Sequence, residues 1–535
     1  MQDNIAKEMI DIQSRLEAER STYDNHCEEV ARYVIPRLDD FQFQTKTPGE
    51  KRTQYQFDST APLALERFSS IIEALVVPRS QLWHGLEPTD RELVDNHEVM
   101  EWYEDVRNYL FKLRYGTTSN FASQANEMFT SMGAFGTGVL ITQERPGQWL
   151  RYKSSHIREH YFTENADGVI DANWRKYKLT ARQAIAEFGV DNVSERIIKA
   201  AEKSPNEKFF FLHCVMPRNE KGMPFVSYHI DMEACKLMRA PGGYRKFPFI
   251  VSRYVTSPDE IYGRSPAMTA LAEIKMLNSM RKTDIKARHL SVDPPNLAAN
   301  EATVRKFNQR PGAMNYGALD MMGNQLVRPY QTGSRIELSN DAIDQSRKMV
   351  NDIFLVTLFQ ILIETPEMTA TEVLARQQEK GDLLSPIGGR IESETLGKLI
   401  EREIDYMAVT GLFDEDGPLP MPPEVRERNG EYDISYVSPM SRMRLAGEAA
   451  GAERTIQSLI PAAQIEPKVF DHIDWDEYVK IIRRANGAPI KLIRSSDDVA
   501  AMQQSRAQQE QMMQLAQAAP QVAGAVKDIA QAQAL

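Results

Sequence analysis

The chain has 535 residues, a formal net charge of −11, 42% hydrophobic and 26% charged residues. That is an ordinary globular balance, and the length exceeds what one hydrophobic core holds, so about three domains or layers are expected. The acidic balance excludes a protein that grips nucleic acid tightly over its whole surface, because such affinity comes from neutralising phosphates.

Cys27, Cys214 and Cys235 are odd in number and far apart, without a CxxC pair. This argues against a disulfide framework and a thiolate zinc site, and for synthesis in a reducing compartment. The start, MQDNIAKEMIDIQ, carries acidic residues and no apolar core, so no signal peptide is expected. The most apolar run, Ile353 to Ile363, is too short to span a bilayer, which takes about 20 residues, and a soluble chain is expected.

In chain order, residues 2–35 read as a helix with Ile5, Met9, Ile12 and Leu16 on one face, stopped by Pro36. TKTPGEKRT is turn-rich, and helices follow at about 61–76, 96–114 and 120–132. GAFGTGVLIT reads as turn then strand. From 139 to 255 come short β-like runs, VLIT, FFFLHCVM, FVSYHI and FPFIVSRYV, interrupted by one helix at about 180–188. Ser265-Pro266 is a helix start, with serine as cap and proline in the first turn, and the helix ends before Asp293-Pro294-Pro295. Residues 294–337 are loop-rich, with Gly312, Gly317, Gly323 and Gly333 along them. A second helix is expected at about 340–363, stopping at Pro366, and its last stretch, IFLVTLFQILI, is apolar on every side and should be buried among helices. Thr369-Ala370-Thr371-Glu372 forms a capping box that opens a new helix. That helix breaks at Gly381 through GDLLSPIGGR, resumes to about Thr410 and stops at Gly411. DEDGPLPMPP is a loop, YDISYV a strand and the remainder helical, becoming Gln-, Ala- and Met-rich after 496. The fold class is mixed α+β, helix-rich, with no repeat of 20–50 residues.

Chemical motifs are sparse. Gly242-Gly243 and Gly388-Gly389 lack the lysine and hydroxyl of a phosphate loop, and there is no GxSxG, so neither nucleotide hydrolysis nor serine catalysis is expected. His156, Glu159 and His160 fit HxxEH, the inverted zinc-peptidase pattern. That chemistry needs a helix, whereas the flanking aromatics and the turn at Asn165 to Gly168 favour strand and hairpin. On a strand the two histidines would stand about 13 Å apart, too far to share one metal. Lys275, Lys282, Lys286 and His289 lie near one line of the first long helix, with Arg281 and Arg288 taken to flank it. Such a stripe is either a solvated face, or ion pairs with a neighbouring subunit, or a face meeting DNA phosphates.

The order of features resembles the portal, or head-to-tail connector, proteins of short-tailed DNA bacteriophages. The resemblance rests on IYGRSPAMTALAEIKMLN (261–278), DPP (293–295) and PEMTATEVLARQQEKGDLLSPIGGR (366–390). Weaker echoes are Tyr33 to Pro36, Asp58 to Ala61, LTARQAIAEFG (179–189) and FDHIDWDEYVKIIRRANGAP (470–489). Together they run from about residue 20 to 510, nearly the whole chain.

The resemblance implies a portal fold of wing, stem, clip and crown, assembled as a ring, usually of twelve, around a central DNA channel. It places the wing in 1–264, the first stem helix in 265–292, the clip in 293–338 and the second stem helix in 339–363. The tunnel loop falls in 364–371, a broken wing helix and strand in 372–450, and a helical crown with a Gln/Ala-rich tail in 451–535. It makes Lys275, Arg281, Lys282, Lys286 and Arg288 candidates for the channel. Glu364, Thr365, Pro366, Glu367, Met368 and Thr369 become the tunnel loop. Asn308, Arg310, Asn315, Tyr316 and Arg328 become docking contacts of the clip. The implied partners are copies of the chain itself, double-stranded DNA held transiently, the packaging motor (terminase), tail adaptors, and capsid and scaffold proteins. No membrane, cofactor, metal or catalysis is implied. The implied location is the portal vertex of the virion, after assembly in the host cytoplasm. Two other classes stay open: an α+β scaffold or adaptor that forms no ring, and a zinc enzyme using His156, Glu159 and His160.

Overall fold

The structure is a computed structural model. It describes residues 2–43, 49–298, 307–330, 336–358, 383–463 and 467–486, apart from 95, 146, 147, 219, 220, 309, 317 and 429, together with 492, 494, 499, 501–506, 508 and 509. The chain divides into two compact units, Met1–Val77 with Thr117–Asp405 and Pro78–Gly116 with Tyr406–Leu535.

The first unit opens with helix α1 (Gln2–Val34), as its periodicity predicts. Ala6 and Met9 are buried on a sheet face with Tyr161, Trp174, Leu212, Cys214 and Ile230, while Ile5, Ile12 and Leu16 pack partly buried along the edge. Helices α2 (Thr60–Val76) and α3 (Phe121–Phe135) follow. Strands β1 (Thr137–Arg145) and β2 (Gln148–Ser155) come next, then β3 (His160–Glu164) and β4 (Ile170–Thr180).

Thr180 ends β4 and caps helix α4 (Ala181–Phe188) through a reciprocal box with Gln183. The sequence predicts one helix among the strands, but there are two: Ser194 precedes α5 (Glu195–Lys203), which buries only Ile197 and Ala200. The periodic signal was there, since Ile197, Ile198, Ala200 and Ala201 share one face of a nine-residue segment that is otherwise largely charged. Strands β5 (Lys208–Pro217), β6 (Phe225–Asp231), β7 (Lys236–Leu237), β8 (Gly242–Tyr244) and β9 (Phe249–Arg253) complete the β region.

Two antiparallel sheets result. One runs β3-β4-β5-β6, with β7 and β8 both paired to β6, and the other runs β9-β1-β2. Alternation along β4 sends Ala172 and Trp174 towards α1 and sends Asn173, Arg175 and Tyr177 to the opposite face. On that second face the pairing register lines up His160, Arg175, His213 and His229 across four strands.

Helix α6 (Pro266–Val292) starts and ends where the sequence predicts. Two short antiparallel strands, β10 (Asn296–Ala298) and β11 (Val327–Pro329), close the base of the following insert. Helix α7 (Ile336–Ile353) then packs beside α6.

Two expectations for this region need correction. The second long helix does not run unbroken to Ile363: it ends at Ile353, and Leu355 takes a left-handed φ of 62°. Phe354 and Val356, on either side, are both buried, so packing sets the break. The stretch SPIGGR is not a break, because 383–390 is helical and runs into a π-helical turn, Ile391–Leu396, and then helix Gly397–Val409. The π turn carries Glu394 to the buried Arg253, whose guanidinium also reaches Glu164 and the carbonyls of Ile261 and Gly168. The expected tunnel loop, the Thr369–Glu372 box and the break at Gly381 lie outside the described residues.

In the second unit, strand His84–Pro88 pairs with Tyr432–Tyr436, the strand predicted from YDISYV. Helix His97–Arg114 is capped by Asn96, which accepts from the amides of Glu98 and Val99. Arg114 is buried against the Trp83 ring at 4.5 Å and His84 Nε2 at 3.1 Å. Gly411 stops helix Gly397–Val409 with a φ of 75°. Helices Pro439–Ala463 and Trp475–Asn486 follow. Among the described residues, no helix is long and apolar enough to cross a membrane.

Candidate stem and docking hairpin

The start of α6 is anchored twice. Ser265 Oγ accepts from the amide of Met268 at 2.9 Å and donates to the carbonyl of Ala134 at 2.9 Å. Just before it, Gly263 lies backbone against backbone with Gly136: a Cβ on Gly263 would stand 2.2 Å from the Gly136 oxygen, and one on Gly136 would stand 2.1 Å from the Gly263 oxygen. Gly136 also has a φ of 78°, which favours glycine. The glycine of IYGRSP therefore lets the chain enter α6 directly over the end of α3.

Further along, α6 and α7 are tied together and to the start of α2. Asn278 Oδ1 accepts from the amides of Phe57 (2.7 Å) and Asp58 (3.2 Å). Asp58 Oδ1 accepts from the amide of Thr60 at 2.8 Å. Arg347 of α7 donates to the other oxygen of Asp58. Against the cost of burial, the hydrogen bonds from Thr60 and Arg347 hold the Asp58 carboxyl below its ordinary pKa.

The predicted channel residues separate into two groups. Lys275 pairs with Glu29, Lys282 lies 5.2 Å from the Phe57 ring centre, and Lys286 and His289 are exposed. Arg281 and Arg288 do not flank this line as expected. They converge on Asp284, whose side chain is 1% exposed, at 2.9 Å each, and Arg288 also reaches Asn340 at 2.6 Å. These two arginines serve α6 and its contact with α7.

The insert presents apolar side chains to water. Met314 is 78% exposed, Tyr316 85%, Met321 105% and Met322 90%. The tip is nevertheless built: Asp320 Oδ1 accepts from the amides of Met322 (2.8 Å) and Asn324 (2.7 Å), and Leu319 bridges Gln325. Among the predicted docking residues, Asn315 and Asn308 exchange two hydrogen bonds (2.6 and 2.9 Å) that close the loop between them. The amide of Arg310 bonds Asn308 Oδ1, Arg328 bonds the carbonyl of Gln325, and Arg310, Tyr316 and Arg328 are exposed.

The expected strand and hairpin hold for His160, which opens β3, but His156 and Glu159 lie in the corner before it. Ile157–Glu159 forms a single 3₁₀ turn between β2 and β3. His156 Nε2 donates to the carbonyl of Leu38 (3.0 Å), and its Nδ1 accepts from the amide of Arg158 (3.1 Å), so neither nitrogen offers a lone pair to a metal. His160 Nδ1 accepts from Asn173 at 3.0 Å. Glu159 is held by Arg175 and Ser155. Burial, with Arg158 beside it, pushes the His156 imidazole down to about 4, and burial with Arg175 pushes His160 well below its usual value. Burial alone would raise the Glu159 carboxyl, but the charge and hydrogen bonds of Arg175, with Lys153 and Ser155, together lower it. The motif is a structural corner. Among the described residues, no group of three or more His, Cys, Asp or Glu could hold a metal.

Two features escaped the sequence reading. The Asp58–Asn278–Arg347 tie joins positions far apart in the chain and leaves no local pattern. Met321 and Met322 did carry a signal, since DMMGN places two apolar residues inside a turn motif.

The chain is similar to the portal protein of Salmonella phage epsilon15, 25% identical over 522 residues covering 94% of this chain and 91% of that protein. It is also similar to a probable portal protein of Bordetella phage BPP-1, 26% identical over 519 residues, with the same coverage of 94% and 91%. A solved chain from the neck of a native gene transfer agent particle, computed with C12 symmetry, matches with 12% identity and a TM-score of 0.34 over 78% of this chain and 92% of that chain. The family profile for bacteriophage head to tail connecting proteins matches residues 6–493, and the chain belongs to that family.

Proposed function

We propose that the chain is a portal subunit that closes into a ring, of twelve copies in the family's usual form, at one capsid vertex of a virion. The ring passes double-stranded DNA inward during packaging and outward during ejection, without sequence preference. The observation that carries this reading is the helical hairpin: a 27-residue helix and an 18-residue helix, tied side by side, project an insert whose largest side chains stand in water. An isolated protein gains nothing from such exposure, whereas a docking element requires it.

In this reading α6 and α7 form the stem, and the insert docks the packaging motor and later the tail adaptor. Assembly with capsid and scaffold proteins takes place in the host cytoplasm. The 364–371 segment is the tunnel loop that retains packaged DNA, with Glu364, Thr365, Pro366, Glu367, Met368 and Thr369 nearest the path. The role is structural and not catalytic, which agrees with the closed hydrogen bonding of His156 and Glu159. Electron microscopy of the purified chain tests the reading: hollow rings support it, and compact particles of one or two subunits refute it.

A further inference from the structure

The two stem helices carry opposite charge on the faces they turn to solvent. At about 100° per residue, the exposed side of α6 runs through Ala272, Met276, Ser279, Thr283 and Leu290, with Lys275, Lys282 and Lys286 along one flank. The exposed side of α7 runs through Asp341, Asp344, Gln345, Lys348, Met349 and Asp352. The first is net basic and the second net acidic. Each also leaves a methionine half in water, Met276 at 47% and Met349 at 54% exposure. The inner sides are satisfied by the Asp58 and Asp284 contacts; on the outer faces Asp344 pairs with Arg347 and Lys275 with Glu29, while Lys282, Lys286, Asp341 and Asp352 remain exposed.

We propose that the lysine flank of α6 is a subunit interface and that it docks the aspartate face of α7 from a second copy of this chain. The inference rests on the ring reading above and fixes which faces meet. Charge complementarity selects the occupant, since the surface that matches three lysines is a row of carboxylates on the same molecule. The faces differ, so the contact is heterologous and propagates head to tail until it closes, as a ring demands. Small residues at Ala272, Ser279 and Thr283 let a neighbouring helix approach, and Met276 and Met349 supply adaptable apolar contact. DNA is the competing occupant. Phosphates would meet the same lysines, but DNA offers nothing to the exposed aspartates of α7, whereas a second copy satisfies both faces at once.

Two full-length variants test the pairing. One carries Lys282→Glu and Lys286→Glu, and the other carries Asp341→Lys and Asp352→Lys. All four positions are exposed, so both variants should keep the wild-type circular dichroism spectrum. Each alone meets like charge at every interface and should lose rings, while the wild type assembles. An equimolar mixture should restore rings with strictly alternating subunits, visible by native mass spectrometry as equal numbers of the two masses. The proposal falls if either folded variant forms rings alone as well as wild type, or if the two folded variants fail to co-assemble. Lysine variants that ring normally but fail to pass DNA would assign the stripe to DNA instead. Absence of rings in the wild type would remove the ring reading itself, and this inference with it.

Discussion

Arg347 on α7 donates from Nε (3.1 Å) and Nη2 (2.7 Å) to one carboxylate oxygen of Asp58, 289 residues earlier in the chain. The Asp58 side chain is 3% exposed while Arg347 is 36% exposed, so the pair anchors α7 to a buried point at the head of α2. Arg347→Ala leaves that carboxylate with the amide and side chain of Thr60 but no charged partner, and should lower stability by about 2 kcal/mol, the usual loss of a hydrogen-bonded charge partner. Denaturant unfolding checks this. Because the folded Asp58 carboxyl is held below its ordinary value, its contribution is complete above the unfolded value of about 4. It should fade as pH falls below that value, and the gap between wild type and variant should narrow with it.

Gly263→Ala should prevent the chain from folding correctly. The added Cβ meets a backbone oxygen at 2.2 Å, and a backbone cannot rotate aside as a side chain can. The expected loss is about 3 kcal/mol or more. Soluble yield and melting temperature measure it, and a variant that melts like wild type would show that this entry to α6 is loose.

The buried histidines make the fold acid-sensitive. Burial, with Arg158 nearby, holds His156 at about 4, and burial beside Arg239 and Arg175 holds His229 at about 3. The unfolded chain binds these protons near pH 6.5 and the folded chain does not. Stability is therefore intact above about 6.5 and falls as pH drops towards 4, at up to about 1.4 kcal/mol per pH unit for each histidine. His156→Gln should flatten the slope of melting temperature between pH 6.5 and 4. Dialysis against a chelator should leave the melting curve unchanged, since both His156 nitrogens bond to backbone.

The hairpin tip should act in docking and not in folding. Met321 and Met322 are held by a hydrogen-bonded turn yet touch water on all sides. Replacing both with serine should leave melting temperature and ring formation unchanged and reduce attachment of tails to filled heads. Counting tailed particles in micrographs checks this, and normal tailing would move the docking contacts elsewhere in the insert.

What the sequence made legible is what is local. The start of α6 follows from Ser265 and Pro266, and its end from Asp293-Pro294-Pro295, because cap and stop chemistry is written within a few residues. The break at Phe354 and Leu355 was hidden, since IFLVTLF holds neither glycine nor proline and buried neighbours impose the left-handed leucine. The π turn at Ile391–Leu396 was hidden for the same reason: it serves a contact with Arg253. Arg281 and Arg288 read as part of a basic stripe because their charge is visible in sequence. Their common partner, Asp284, is visible only once helical phase and packing are known.

The central claim is that this chain closes into a ring, and the native mass of the purified protein tests it most directly. The account predicts one discrete assembly, near twelve times the subunit mass of 60.9 kDa, that persists on dilution and appears as a hollow ring in micrographs. A mass of one or two subunits at every concentration, from protein with a native circular dichroism spectrum, would contradict it.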